Sequence, residues 1–524
     1  MGQPPCKVND IATTASMQHK PSPSAKNALR SMLPCAPIGL IIFFIVAANA
    51  IFIIYRSRLP YPLNPWEAGI VADAWRMMQG NSIYAVGTDH ATHMYGPLIT
   101  VVLAHAFTIF GPVLEVGRFL SAISGTLVVL LLASVFGRDD RLAFAISVAL
   151  LLAANTRSGY YFTETRPDMV SLFFVMVALL ALYYGQERTK IPPRASLTVA
   201  GSVLLVIAVM FKQTAAAFMF VPVLAMLPTL RQKNKRVLLT IVPIVAIFGT
   251  LTAVWYFAPG VWHFIAEVPA QYKISVLRIA YMGVALLTGF PLFVLALIHW
   301  VFTDAQDTWQ KPRVRWLLAA MICAIPSSLV ATAKAGGVAN SLIPAILSMS
   351  AFCAWRVPVA LALLRDERRS LSLRLVTGML LGILVFAHTY PDAPGGLGLG
   401  ALNSGSGTLD RSSVIAEARL LPGKVISPDD PTIALIAKGY AGRTAVFEAD
   451  AVHWDLNRSD ALIREIDSAD YVITMQNELW WVVVKDDVLK ARGFVKSTFK
   501  TTSCSVYELW RRMQLPGPAI VPLH

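Results

Sequence analysis

The chain has 524 residues, of which 56% are hydrophobic and 15% charged, and its formal net charge is +14. A charged fraction so far below the ~25% typical of soluble domains excludes an ordinary water-soluble fold. The cations sit mostly in short loops between apolar runs, where they encode orientation in a membrane, so the charge reads as topology and no nucleic-acid partner is expected.

The first 35 residues are polar, with Pro, Ser and Lys, and read as a disordered cytoplasmic segment. From about 36 to 390, apolar runs near the ~20 residues needed to cross a bilayer recur between polar breaks. Backbone in lipid must satisfy its own hydrogen bonds, so the runs are helices. The predicted crossings are 36–55, 112–137, 142–158, 168–185, 195–211, 213–230, 237–258, 276–302, 316–333, 341–363 and 375–389, about eleven in all. Basic groups fix their sense: Lys7, Lys20, Lys26 and Arg30; Arg138 and Arg141; Arg188, Lys190 and Arg194; the run 231–236; Lys311, Arg313 and Arg315; and 365–374. With all six on the cytoplasmic side, the N-terminus is inside and the C-terminus outside.

The first external loop, 56–111, is long. Its apolar run at 96–111 is short and contains His105; counted as a crossing it inverts every later basic loop, so it is predicted to lie at the outer surface. The segment 64–80 reads as a second surface helix, with Ile70, Ala74 and Met77 on one face and Asp73 and Arg76 supplying polarity. Residues 391–409, rich in Gly, Pro and Ser, read as a linker. From 410 to 524 the composition is that of a small soluble α/β domain, with strands at KVIS, DYVITM and CSVYELW and helices at PTIALIAKG and DALIREIDSA. The five cysteines, Cys6, Cys35, Cys323, Cys353 and Cys504, contain no CxxC pair, and only Cys504 falls in the expected oxidising compartment, so no intrachain disulfide framework is expected.

External acids stand out because external loops are short. Glu67 follows the first crossing, and Glu164 and Asp168 lie in YYFTETRPDM; topology puts all three on one side, where carboxylates distant in sequence can orient or deprotonate an acceptor. Blander readings exist: Glu67 as a solvated helix-end acid, Asp168 as a partner of Arg166 or a helix cap. Lys212, at the outer end of its helix, and Lys334, in an external turn, are cations at membrane depth suited to a lipid phosphate, or else snorkelling to the interface. Asp89, His90 and His93 include an H-x-x-H spacing that suits a divalent metal, but no third ligand is evident and surface-loop histidines are the ordinary reading.

Five segments in order resemble the membrane-embedded GT-C glycosyltransferases that use polyprenyl-phosphate sugars, a superfamily that includes the protein O-mannosyltransferases and the aminoarabinose transferase of lipid A. They are NPWEAGIVADAWRMMQGNSIYA, MYGPLITVVLAHAFTIFG, GRFLSAISGTLVVLLL, YYFTETRPDMVSLFFVMVALLAL and KAGGVANSLIPAI. The resemblance spans about 36–350 and implies transfer of a sugar from a polyprenyl-phosphate donor to an envelope glycan, lipid or protein on the outer face of a membrane. It puts Glu67 beside the acceptor as base or activator, where the family more commonly carries Asp or Asp-Glu. Asp168 takes the place of the second-loop acid, with Glu164 as its partner. Lys212 and Lys334 fall where basic residues hold the lipid phosphate, and Tyr95, Arg166 and Asn340 are further substrate-binding candidates. No metal site is assigned; relatives differ in metal dependence, so a divalent metal stays open. The compact loops and the family imply a bacterial inner membrane. Two other classes compete: a flippase or transporter of a lipid-linked substrate, which should show inverted repeats and interrupted helices, and a non-catalytic scaffold, in which Glu67 and Asp168 are replaceable.

Overall fold

The structure, a computed structural model, describes residues 35–84, 91–187, 195–229, 235–334, 336–366, 368–390, 411–453, 455–475, 484–499 and 507–513. The N-terminal segment, the linker at 391–409, Asp89, His90, the cations at 188–194 and 231–234, Cys6 and Cys504 lie outside these residues.

In chain order, α1 (Ala36–Ser57) is followed by two helices of the first loop, α2 (Pro65–Met78) and α3 (Leu98–Phe110). Next come α4 (Leu114–Gly137), α5 (Arg141–Leu151), α6 (Asp168–Glu187) and α7 (Ala195–Phe211). A 3-10 segment, Gln213–Phe220, leads into α8 (Val221–Met226) and α9 (Lys235–Phe257). The remaining bundle helices are α10 (Val276–Gly289), α11 (Pro291–Thr303), α12 (Pro312–Ala333), α13 (Ile343–Arg365) and α14 (Leu371–Thr389).

Among the described residues, seven of these helices are long and apolar enough to cross a membrane (α1, α4, α6, α9, α12, α13 and α14), and the bent pair α10–α11, if counted as one span, makes an eighth. The chain is therefore a multi-pass membrane protein. Length and composition do not carry the expected count of eleven: the runs at 142–158, 195–211 and 213–230 form shorter apolar helices. The run at 213–230 is 3-10 over Gln213–Phe220 and turns α-helical at Val221, with Pro222 in the first turn of α8, where its missing N–H costs no helix bond. The run at 276–302 is not one helix; it bends by 82° at Phe290. Pro291 opens α11 and pushes the preceding residue out of helical geometry, leaving Phe290 at φ −124 and ψ 62.

The bundle packs around α13, whose Ile343, Ala345, Ile346, Met349 and Phe352 are buried. Outer helices turn Leu40, Phe43 and Ile51 of α1 and Val245 and Phe248 of α9 outward, as contact with lipid requires. Three basic groups share one end of the bundle, since Arg365 pairs with Asp140, and Arg138 and Arg313 line one groove.

At the opposite end α2 and α3 lie over the bundle. Thirteen residues of α3 rise about 20 Å, short of the ~30 Å hydrocarbon core, so it does not span. Its Ile99, Leu103 and Phe107 are buried while Ile109 and Phe110 are exposed. The α2 helix is less amphipathic than the sequence suggested, for Asp73 and Arg76 are buried as well as Ile70 and Ala74. The soluble domain covers the polar face.

That domain comprises α15 (Arg411–Leu420), β1 (Val425–Ile426), α16 (Pro431–Lys438), α17 (Ala445–Ala451), α18 (Asp460–Ser468), β2 (Tyr471–Met475), α19 (Asp486–Ala491), β3 (Phe494–Ser497) and β4 (Tyr507–Arg512). The sheet order is β1-β2-β4-β3, with β1 parallel to β2 and the other pairs antiparallel. Its seam with the membrane part is a continuous core: Val446, Phe447 and Ala449 of α17 pack with Trp66, Ile70 and Val71 of α2 and with Ile99 and Leu103 of α3. Arg76 donates to the carbonyls of Ala441 and Gly442, and Arg411 to that of Pro60 at 3.0 Å. Gly69 makes this approach feasible, because a Cβ there would stand 2.6 Å from the ring of Phe447 and 2.9 Å from Cγ2 of Thr444. Gly69→Ala is expected to cost about 1–3 kcal/mol of overpacking strain and to speed proteolytic clipping of the soluble domain from detergent-solubilised protein. A variant as resistant as wild type would show that the seam yields freely.

Candidate active site

The polypeptide enters α2 through an Asn-Pro-Trp-Glu sequence. Asn64 caps the helix, its Oδ1 accepting from the Glu67 N–H at 3.1 Å, and Pro65 presets the first turn. Glu67 turns back into the protein. Its Oε1 accepts from Arg118 Nε at 2.7 Å and the Thr165 N–H at 2.9 Å; its Oε2 accepts from Arg118 Nη2 and the Leu63 N–H, both at 2.7 Å. Burial pushes this carboxyl up, but Arg118 and the two backbone donors outweigh it and hold Glu67 below its ordinary range. Its four acceptor positions are filled and it is fully buried. Glu67 therefore ties the first loop to α4 and to the second acidic loop. The solvated helix-end reading fails, and no lone pair is left to take a proton from a substrate.

The second loop divides its acids. Asn64 donates to Glu164, which also pairs with Arg56 at 3.5 Å and Arg166 at 3.3 Å. Burial raises Glu164 to about 7 despite the attraction of Arg166 and Arg56. Asp168 neither pairs closely with Arg166 nor caps its own helix. Its Oδ1 accepts from Lys212 and, at 3.0 Å, from Asn340 Nδ2, while Oδ2 is buried without a hydrogen-bond partner. Lys212 reaches it because the chain leaves helical geometry after α7, at φ −148 and ψ 117.

Arg166, Lys212, Lys334, Asn340 and Tyr95 line one cavity of about 290 Å³, together with Trp66, Gln213, Tyr272 and Asp450. Arg166 is fixed from all sides: it donates to Tyr95 Oη and Asn64 Oδ1, each at 3.2 Å, and its guanidinium lies over the rings of Trp66 and Tyr161 at 5.0 and 4.9 Å. Tyr95 is pushed up to about 12, by burial first. Gly96 brings it there, since a Cβ at this position would fall 2.0 Å from the carbonyl oxygen of Met210. Lys334 leaves α12 in extended geometry and its Nζ donates to the Pro269 carbonyl at 3.3 Å. No carboxylate pairs with it among the described residues, and burial holds it below its ordinary range. The cavity thus gathers three cations, of which one has no counterion.

None of the three expected acids lines this cavity, Asp168 lining a smaller crevice beside Lys212. Glu67 and Glu164 sit behind the wall that Trp66 and Arg166 form. His93 is fully buried, with Nδ1 3.2 Å from Asp73 Oδ2; among the described residues no group of three His, Cys, Asp or Glu is placed to hold a metal. Sequence reasoning missed Asp450. It comes from α17, accepts from Trp66 Nε1 at 3.1 Å through Oδ2, and its carbonyl accepts from Tyr272 Oη. Burial raises its carboxyl to about 7. The signal in the sequence is slight: Asp450 is one of two acids, with Glu448, in a short helix of otherwise apolar residues.

The structure of ArnT from Cupriavidus metallidurans bound to undecaprenyl phosphate superposes with a TM-score of 0.58 at 12% identity, over 90% of this chain and 97% of that one. The apo ArnT structure gives 0.57 at the same identity and coverage. The chain has the ArnT fold. It matches no family model, and no curated protein matches it in sequence. An archaeal oligosaccharyltransferase from Archaeoglobus fulgidus aligns with a TM-score of 0.48 at 10% identity, over 90% of this chain and 74% of that one.

Proposed function

We propose that the protein transfers a sugar from a polyprenyl-phosphate carrier to a hydroxyl-bearing acceptor on the outer face of the membrane. The observation that carries this reading is the cation-lined cavity where the soluble domain meets the membrane bundle. Lys212 ends α7 and Lys334 ends α12, so both stand where a lipid phosphate reaches when its tail stays in the bilayer. A phosphate offers Lys334 the anion it lacks and offers the planar guanidinium of Arg166 oxyanion acceptors. A second crevice of about 20 Å³, lined by Leu172, Ala215, Phe218 and Pro344, adjoins the Asp168–Lys212 pair. ArnT, which shares the fold, was crystallised with undecaprenyl phosphate.

In this reading the acceptor oxygen attacks the anomeric carbon while the bond to phosphate breaks. Charge grows on the departing phosphate oxygen, and preorganised Lys212, Lys334 and Arg166 stabilise it there. Asp168, itself held by Asn340, keeps Lys212 in place. Glu67 acts as a positioning residue, fixing the loop that carries Trp66 and Arg166 through Thr165 and Arg118. A transporter reading gains little from the bend at Phe290, because that break packs under Arg157 and against His388 and does not line the cavity.

The test is transfer of label from undecaprenyl-phosphate sugars to envelope extract by purified protein. Wild type is expected to transfer, and Lys334→Gln to lose about 10–100-fold in kcat/KM, the range for one charged donor to an oxyanion. Transfer unaffected by Lys334→Gln would remove the cavity from the reaction.

A further inference from the structure

We infer that Asp450 of the soluble domain is the general base that deprotonates the acceptor, so that the active site is completed by the C-terminal domain. This rests on the glycosyltransferase reading and supplies the group that reading lacks. A transfer to a hydroxyl needs somewhere for its proton to go. Glu67 cannot take it, with its acceptor positions filled. Asp168 is held by Lys212 and Asn340, and its free Oδ2 is buried among bundle residues. Glu164 is enclosed by Asn64, Arg56 and Arg166. Among the described residues that line the cavity, Asp450 is the one carboxylate.

Its setting suits the task. Trp66 holds one oxygen through Nε1, and Tyr272 anchors the backbone of the same residue, so the carboxyl is aimed by two elements of the membrane part. The second oxygen has no partner competing for it among the described hydrogen bonds of Asp450. The cations that receive the phosphate stand at the ends of α7 and α12, and Asp450 enters from the soluble side. A sugar between them is flanked by phosphate-binding cations toward the bilayer and by a base toward the solvent, the order an in-line displacement needs. The groups facing Asp450 are Arg166 and Tyr95 from the loops, Lys212 and Lys334 from the helix ends, Tyr272 from the bundle, and His453 beyond Tyr272, whose rings lie 5.6 Å apart.

The step balances. The acceptor O–H proton moves to the Asp450 carboxylate as the acceptor oxygen bonds to the anomeric carbon. The bond from that carbon to phosphate breaks, its electron pair staying on the phosphate oxygen held by Lys212 and Lys334. Polyprenyl phosphate leaves, and the carboxyl later returns its proton to water.

The experiment compares full-length wild type, Asp450→Asn, Asp450→Glu and Trp66→Phe for undecaprenyl phosphate binding, melting temperature and pH dependence of transfer. Wild-type kcat/KM is expected to rise with pH to a plateau above about 7, the value at which burial holds the carboxyl. Asp450→Asn should bind undecaprenyl phosphate and melt as wild type, lose at least about 100-fold in transfer, and lose the acidic limb. Asp450→Glu should keep a limb. Trp66→Phe, which removes a donor to the charged form, should move the limb to higher pH. Asp450→Asn transferring at the wild-type rate overturns the assignment alone. Loss of transfer together with lowered melting temperature and lost lipid binding makes Asp450 a docking residue and also overturns it. Wild type that binds undecaprenyl phosphate yet transfers none of a panel of sugars overturns the glycosyltransferase reading, and Asp450 as its base falls with it.

Discussion

Arg118→Met, at the head of α4, is expected to give a large loss of stability. Arg118 and Glu67 are both fully buried, and their bidentate pair is the charge balance of that region. Arg118 also donates to the carbonyls of Leu59 and Tyr61. Removing one partner of such a pair leaves an uncompensated buried charge and costs about 3–5 kcal/mol. In detergent, the variant should melt well below wild type and be recovered in much lower folded yield. Glu67→Gln should behave the same way, because it strands Arg118 and turns an amide N–H₂ toward groups that are already donors. Folded Glu67→Gln molecules should keep transfer within about tenfold of wild type, since a positioning residue acts through others. A Glu67→Gln protein that melts as wild type but loses transfer would restore Glu67 as the base.

The second large effect concerns Lys212. In Lys212→Met, binding of undecaprenyl phosphate is expected to weaken about 10–150-fold, the ~1.5–3 kcal/mol of a charge-assisted hydrogen bond. The variant should also be destabilised, because Asp168 loses its cation. The two effects separate in the double variant Lys212→Met/Asp168→Asn. Neutralising both partners should recover most of the melting temperature and none of the lipid binding. Recovered binding in the double variant would show that Lys212 serves only to neutralise Asp168. A thermal scan and a binding isotherm on the same preparations decide between these outcomes.

Much of the architecture follows from periodicity and charge. Runs of apolar residues give α1, α4, α6, α9, α12, α13 and α14 directly, and the short length of 96–111 keeps α3 out of the membrane. Within the soluble domain, alternation and turn residues mark β1, β2 and β4 and the helices α16 and α18, whereas α15, α17, α19 and β3 carry no comparably strong local signal. Local rules fail where one residue decides against its neighbours, as Pro291 does in bending α10 against α11. They fail more seriously for contacts across the chain. Lys212 and Lys334 are visible as ionisable residues at membrane depth and Arg166 as a cation beside the second-loop acids, and the structure brings them round one cavity. Arg118 is not visible in that way, because a single cation at the head of an apolar run reads as an interfacial anchor until Glu67 is seen beneath it. Asp450 is further from reach: its partner Trp66 lies 384 residues earlier, and nothing in FEADAVHW announces a cavity-lining carboxylate.

The shared core of α17 with α2 and α3 also bears on biogenesis. A nascent chain emerges from its N-terminus, so Trp66, Ile70 and Ile99 wait exposed until Val446 and Phe447 have been synthesised and moved to the same side. Until then the loop helices present an apolar surface that a membrane-associated chaperone can shield. Asp450 arrives with the same helix, so on the proposed reading the cavity gains its base only once α17 has joined the loop helices.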